Sequence, residues 1–240
     1  MKLKSRMMKS HIWICFLFFS GQLSAQVEPL QQITDRYAAE YMNSVSEYAT
    51  VFSGNREKPL GFTTKNHSYF KEQNFVTGRL SYCGITYPEV QLRWDLYKDE
   101  LVVLSPSNYG IVLKSEHIDF AEFHGYHVYY LRSDSLLGCP PAGNYILLYS
   151  GGCTVIEKLS YQLYTEHSTS EYYFALATKF YLKKDGIYHK VTSRKSLLKV
   201  LHTHRRDLKR FIRVNELRFK KDGEKMVLGV VREHEKLNRP

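Results

Sequence analysis

The residues best suited to chemistry lie between Glu116 and His127, in the run EHIDFAEFHGYH. His117, His124 and His127 stand there with Asp119 and Glu122, residue types that serve general acid–base catalysis or zinc ligation. As a strand, the run puts His117, Asp119 and Ala121 on one face, and a turn at Gly125 brings His127 back toward them. Either chemistry needs three converging ligands or a base oriented by a partner. Ile118, Phe120 and Phe123 claim the opposite face, so the polar set falls on the solvated side of a strand, where such residues ordinarily sit. Other catalytic patterns are missing from the sequence. It has no Gly-x-Ser-x-Gly, no Cys-x-x-Cys and no phosphate-cradling glycine loop ahead of a helix, and neither Cys139 nor Cys153 has a histidine nearby in the chain. These patterns call for no metal and no cofactor.

A second constellation is basic. Arg205, Arg206, Lys209, Arg210 and Arg213 fall on a stretch of helical periodicity whose other side carries Leu208, Phe211 and Ile212. Guanidinium groups pair bidentately with phosphate and carboxylate, so this set is a candidate anion-binding face. Charge is unevenly placed along the whole chain. Residues 26–177 carry 11 Lys+Arg against 17 Asp+Glu, and residues 178–240 carry 19 against 7. A mildly acidic body with a strongly basic tail suits a polyanionic partner; a solvated helix face gives the same pattern.

The elements that position these residues are mostly strands. The 19 Tyr and 13 Phe favour half-buried β structure. In Phe75 to Leu104, Val90, Leu92, Trp94 and Leu96 alternate with Gln91, Arg93 and Asp95, which predicts a strand with its apolar side buried and its polar side outward. Cys83-Gly84 and Asp185-Gly186 sit between β-prone runs as two-residue hairpin turns do. Short β runs continue, roughly at Gly61–Thr64, Phe75–Tyr82, Ile85–Tyr97, Leu101–Leu104, Gly110–Leu113, Ile118–Phe123, His127–Leu131, Tyr145–Tyr149, Thr154–Tyr164, Tyr172–Leu182 and Ile187–Val191. No helix-length apolar pattern interrupts them. The fold class expected is therefore mainly β (α+β): an antiparallel meander forming a curled sheet, a sandwich or a partly closed barrel. Between Cys139 and Cys153 the turn expected is Gly151-Gly152, with Ser150 opposite Cys153.

Helices are expected at both ends. Ile33, Tyr37, Tyr41, Val45, Tyr48 and Phe52 recur at steps of three or four after Pro29, an apolar stripe that reads as core packing. After Ser193, a good N-cap, helices are expected through Leu201, over about His204–Asn215 and near Gly223–Leu237, with Leu217-Arg218-Phe219 as an extended link.

The first 25 residues have the layout of a signal peptide. Lys2, Lys4, Arg6 and Lys9 precede the apolar run Ile12–Phe19, and Leu23-Ser24-Ala25 offers a cleavage site before Gln26. The organisation expected is thus a leader over 1–25, a helix plus β unit over 26–192 and a basic helical appendage over 193–240, with no transmembrane span after the leader. Cys83, Cys139 and Cys153 remain, an odd number that leaves at least one thiol unpaired in a monomer.

Three segments carry a resemblance. They are FVTGRLSYCGITYPEVQLRWDLYKDELVVL, GNYILLYSGG and the stretch from KFYLKKDGIYHK to LRFKK. Together they resemble an uncharacterised family of exported β-rich proteins from Bacteroidetes bacteria. Gly78, Tyr82, Gly84, Tyr87, Val90, Leu92 and Asp95 match a recurring pattern of that family, and Trp94 replaces its usual Tyr. The resemblance implies export and the β architecture and names no activity.

The function expected is a non-catalytic binding or assembly role in the periplasm or at the outer membrane, with an envelope polyanion or envelope protein as partner. One alternative is a polyanion-binding module using the C-terminal helices. A second is a hydrolase whose residues, His117, Glu122, His124 and His127, meet only in space.

Overall fold

In the computed structural model the described residues are 33, 36, 37, 40, 41, 44, 49–133, 139–166 and 171–239. Eleven strands form one antiparallel sheet in the order β1-β5-β4-β3-β2-β6-β7-β8-β9-β10-β11, and the sheet does not close. They are β1 (Asn55–Arg56), β2 (Val76–Tyr82), β3 (Ile85–Asp95), β4 (Glu100–Leu104), β5 (Gly110–Val112), β6 (Ile118–Phe123), β7 (Tyr126–Leu131), β8 (Gly143–Ser150), β9 (Thr154–Thr165), β10 (Tyr172–Lys184) and β11 (Ile187–Val191). Three helices follow: α1 (Arg194–Val200), α2 (Arg205–Val214) and α3 (Gly223–Leu237).

The topology is two meanders that share β2. Strands β2 to β5 run outward from it on one side; the chain then crosses back through a 3-10 turn at Ser115–His117 and lays β6 on its other side. From β6 to β11 every strand pairs with the next. The sheet curls until its two halves touch: the Tyr161 N–H of β9 donates to the Leu96 carbonyl just after β3 (3.0 Å).

The expected hairpins form where the turn residues tolerate positive φ. Cys83-Gly84 (φ 54 and 76), His124-Gly125 (53 and 76) and Asp185-Gly186 (51 and 80) are all left-handed pairs. Val90, Leu92 and Trp94 on β3, and Leu96 just after it, are buried as the alternation predicts. Together with Leu80, Tyr82, Tyr87, Leu101 and Ala121 they build the core inside the curl.

Several local expectations need correction. Asp95 is buried, not outward; its Oδ1 accepts from the Tyr97 and Lys98 N–H groups, which satisfies the carboxylate inside the turn. Gly61–Thr64 is not a strand, and Thr64 makes only an isolated bridge to Tyr172. Ser150 pairs with Thr154, so the turn carries Gly151, Gly152 and Cys153. On β6 the pairing with β2 slips between Ser81 and Tyr82, adding a residue to β6. That bulge reverses the faces: Ala121 is buried, whereas Phe120 lies out beside His127, their rings stacked at 5.2 Å.

At the N-terminal side Ile33, Arg36, Tyr37, Glu40, Tyr41 and Ser44 are helical. Tyr41 and Phe52 pack against the core, but Tyr37, expected in the same stripe, is exposed under the Arg36 guanidinium. Pro29, Val45, Tyr48 and the leader lie outside the described residues. Cys83, Cys139 and Cys153 are all free thiols. No helix among the described residues is long and apolar enough to cross a membrane.

The C-terminal helices cover the far end of the sheet. Their residues Leu197, Leu198, Leu208, Ile212, Met226, Val227, Val230 and Val231 share one core with Val155, Phe180, Leu182 and Val191 of the strands. Ser193 caps α1 as expected, with the reciprocal bonds of a capping box to Ser196. Leu217 and Arg218 are irregular backbone between α2 and a turn that begins at Phe219.

Candidate anion-binding site

The local sequence decides how α2 presents its charges. Leu208 and Ile212, four apart, share a face and are buried against the core. Phe211 is half-buried over α3 at Gly229, where a Cβ would come within 3.2 Å of the ring. With the apolar side so held, Arg205, Arg206, Lys209, Arg210 and Arg213 are all exposed.

Four of these five line one groove of about 680 Å³, and two further arginines join them. Arg206, Lys209, Arg210 and Arg213 come from α2, Arg194 from the first turn of α1, and Arg218 from the turn after α2. Glu216 is the one acidic residue in the lining. Arg205, exposed on the same helix, is not part of the groove's lining. Among the described residues, none of the six cations has an acidic partner at ion-pair distance.

The start of α2 carries charge of both signs. His204, at the N-cap with φ 56, gives no side-chain cap, and Arg205 and Arg206 open the first turn. The first N–H groups of a helix carry the positive end of its dipole, and Asp207 in the same turn complements it.

Periodicity alone marked the α2 set. It missed Arg194 and Arg218 because both lie off that helix; only the packing of α1, α2 and the following turn brings them in. Their signal in the sequence was the general basic bias after residue 178.

The histidine cluster does not assemble. Glu122 and His127 face each other across the β6–β7 hairpin, with His127 Nδ1 3.0 Å from Glu122 Oε1. His124 turns instead toward Glu72, with Nε2 3.5 Å from Oε1, and His117 lies edge-on to Tyr82 at the other end of β6. A single exposed pair remains, without a nucleophile or a third ligand. Among the described residues no group of three or more metal-ligating side chains occurs.

One spatial pairing was invisible in the sequence. Cys153 and His234, both buried, line a small cleft of about 310 Å³ with Asn238. These are the residue types of a thiol hydrolase, but the electrostatics oppose that chemistry. Burial, and then the Glu235 carboxylate, push the thiol up from its ordinary pKa, the reverse of an activated nucleophile. Burial, and then nearby Lys184, hold His234 below the usual histidine range. Glu235 has a structural task here: Oε1 accepts from the Cys153 N–H (2.7 Å), and Oε2 from the Tyr149 hydroxyl (2.7 Å). A Cβ at Gly151 would fall 2.7 Å from Oε2, so the β8–β9 turn is glycine where the carboxylate must approach.

No protein-family model, curated protein or solved structure matches the chain.

Proposed function

We propose that the chain is a non-catalytic binding protein of the cell envelope that holds a polyanion on its C-terminal helices. The observation that carries this reading is the groove in which Arg194, Arg206, Lys209, Arg210, Arg213 and Arg218 converge without acidic partners among the described residues. Five of the six are arginine, whose planar fork matches phosphate, sulfate and carboxylate oxygens. The leader-like layout of residues 1–25 supports export, as does the resemblance to exported Bacteroidetes proteins. In that compartment lipopolysaccharide, acidic glycans and extracellular nucleic acid are the available polyanions.

Retention on heparin across a series of ionic strengths tests the reading. The protein should bind at low salt and release steeply as salt rises, because the contacts are ionic. Replacing Arg206, Arg210 and Arg213 by Gln should weaken binding at least tenfold and flatten the salt dependence. Lipopolysaccharide and single-stranded DNA as competitors then sort the polyanions by class. Absence of salt-sensitive retention of the unmodified protein at low ionic strength overturns the reading. Mass spectrometry of the exported protein tests the leader: a chain beginning near Gln26 is expected, and a membrane-embedded chain retaining Met1 overturns export.

A further inference from the structure

A second cleft, of about 620 Å³, opens where the turn before α3 meets β9 and β10, and a buried carboxyl lines it. Glu157 is 5% exposed. Its ladder neighbours are Ile146 and Phe180, and Val155 and Leu159, two positions away on the same face of β9, are buried and apolar. The alternation of the strand therefore calls for a hydrophobic residue where the chain carries an acid. Among the described residues Glu157 has neither a hydrogen-bond nor an ion-pair partner. The charge that bears on it is a second carboxylate, that of Glu224 in the first turn of α3. Buried acids are ordinarily paired or protonated, and an unpaired one lining a cleft offers a partner for a cation.

The rest of the lining narrows what that cation is. Phe180 and Phe219, edge to face at 6.1 Å, supply aromatic surface. Lys220 and Lys221 are exposed at the mouth. We infer that this cleft binds a small zwitterion of the amino-acid type, its ammonium group on Glu157 and Glu224, its carboxylate on Lys220 and Lys221, and its side chain against the two phenyl rings. Ammonium groups are also favoured over aromatic faces, so the rings serve both parts of such a ligand.

Protons report on this arrangement. Burial, and then Glu224, push the Glu157 carboxyl up to about 7. Glu224, Lys220 and Lys221 are the other titratable groups lining the cleft; β10 adds Thr178 and Phe180, and Thr192 follows β11. An ammonium group arriving at Glu157 favours its ionised form, so binding near pH 6 releases protons.

Calorimetric titration of the purified protein with phenylalanine, phenethylamine and 3-phenylpropionate separates the groups. Phenylalanine should bind, with a heat at pH 6 that varies with the ionisation enthalpy of the buffer. Phenethylamine should bind more weakly, and phenylpropionate should not bind. Glu157→Gln, with its near-UV circular dichroism intact, should lose about tenfold or more in affinity and the proton release, as expected for one charged hydrogen bond. Replacing the exposed Lys220 and Lys221 by Gln should weaken phenylalanine and leave phenethylamine unchanged. No heat with phenylalanine, unchanged affinity in Glu157→Gln, or equal binding of phenylpropionate or phenethylamine overturns the inference.

Discussion

Arg93 and Arg210 are the same residue type in opposite circumstances. Arg93, on β3, lies between the rings of Tyr69 and Phe75 at 4.2 and 4.1 Å, donates to the Gln73 carbonyl and is ion-paired with Glu57. Lys158 on β9 is held in the same manner by Asp99 and the Asn144 carbonyl. Arg210 stands in an open groove among five other cations. In the sheet, then, charge closes the curl: Asp99 sits in the β3–β4 turn and ties it to β8 and β9. On the helices, apolar side chains make the core against the sheet, Glu235 adds hydrogen bonds to Tyr149 and the Cys153 N–H, and the cations of α2 stay exposed. Two regions of one protein thus hold Arg and Lys in different states of pairing, a distinction that composition does not show.

The largest expected effect attacks the sheet side of this contrast. Asp99→Ala leaves Lys158, its side chain 14% exposed, without its carboxylate, and removes the acceptor for Trp94 Nε1 and for the Asn144 N–H. Chemical denaturation should show a loss of roughly 3–5 kcal/mol, the range for breaking a buried pair. A loss below about 1 kcal/mol would place this pair with the exposed ones and erase the contrast.

On the helix side Leu208→Ala should cost about 2–5 kcal/mol, since Leu208 is fully buried and its cavity cannot be filled from the polar face of α2. Hydrogen exchange should show the loss centred on α2 and α3.

Glu157 links the two regions and gives a pH test. Its native pKa is raised from 4.5 to about 7, so the folded protein holds this proton to higher pH than the unfolded chain does. The stability it contributes is complete below about pH 4.5 and is lost as pH rises through about 7. The change amounts to on the order of 3 kcal/mol across that window. Glu157→Gln should flatten this part of the stability–pH curve; an unchanged slope would mean that Glu157 is solvated.

The smallest effect sharpens the comparison most. Replacing Arg206, Arg210 and Arg213 by Gln should change stability by no more than about 0.5 kcal/mol, because exposed charges without partners contribute little. The same variant should lose heparin retention. Stability unchanged with binding lost is the outcome that only unpaired, outward charge can give.

The parts of this fold legible in the sequence are those set by near neighbours. The pair Asp185-Gly186 declares a hairpin because both residues must accept positive φ. Ser193 declares a helix start, and alternation from Val90 to Leu96 declares which side of β3 is buried. The crossover that lays β6 against β2 has no such local mark, since it depends on which edge is free when the chain returns. The extra residue in β6 is likewise a matter of pairing, and it exchanged the faces of Phe120 and Ala121. For the candidate site, helical spacing identified the cations of α2. Arg194, Arg218 and the buried state of Glu157 depend on how separate elements pack, which no spacing within one element records.

The bond from Glu235, on α3, to the Cys153 N–H joins residues 82 apart. Its consequence is one of timing. Strands β8 and β9 can pair as soon as both exist, yet the turn between them gains its carboxylate acceptor only when α3 is complete. The apolar faces of Val155, Phe180 and Leu182 must wait for the same segment. Loops that long close slowly relative to hairpins. Closure of this part of the fold therefore depends on α3, and a chain that has not yet formed α3 leaves Val155, Phe180 and Leu182 without their cover.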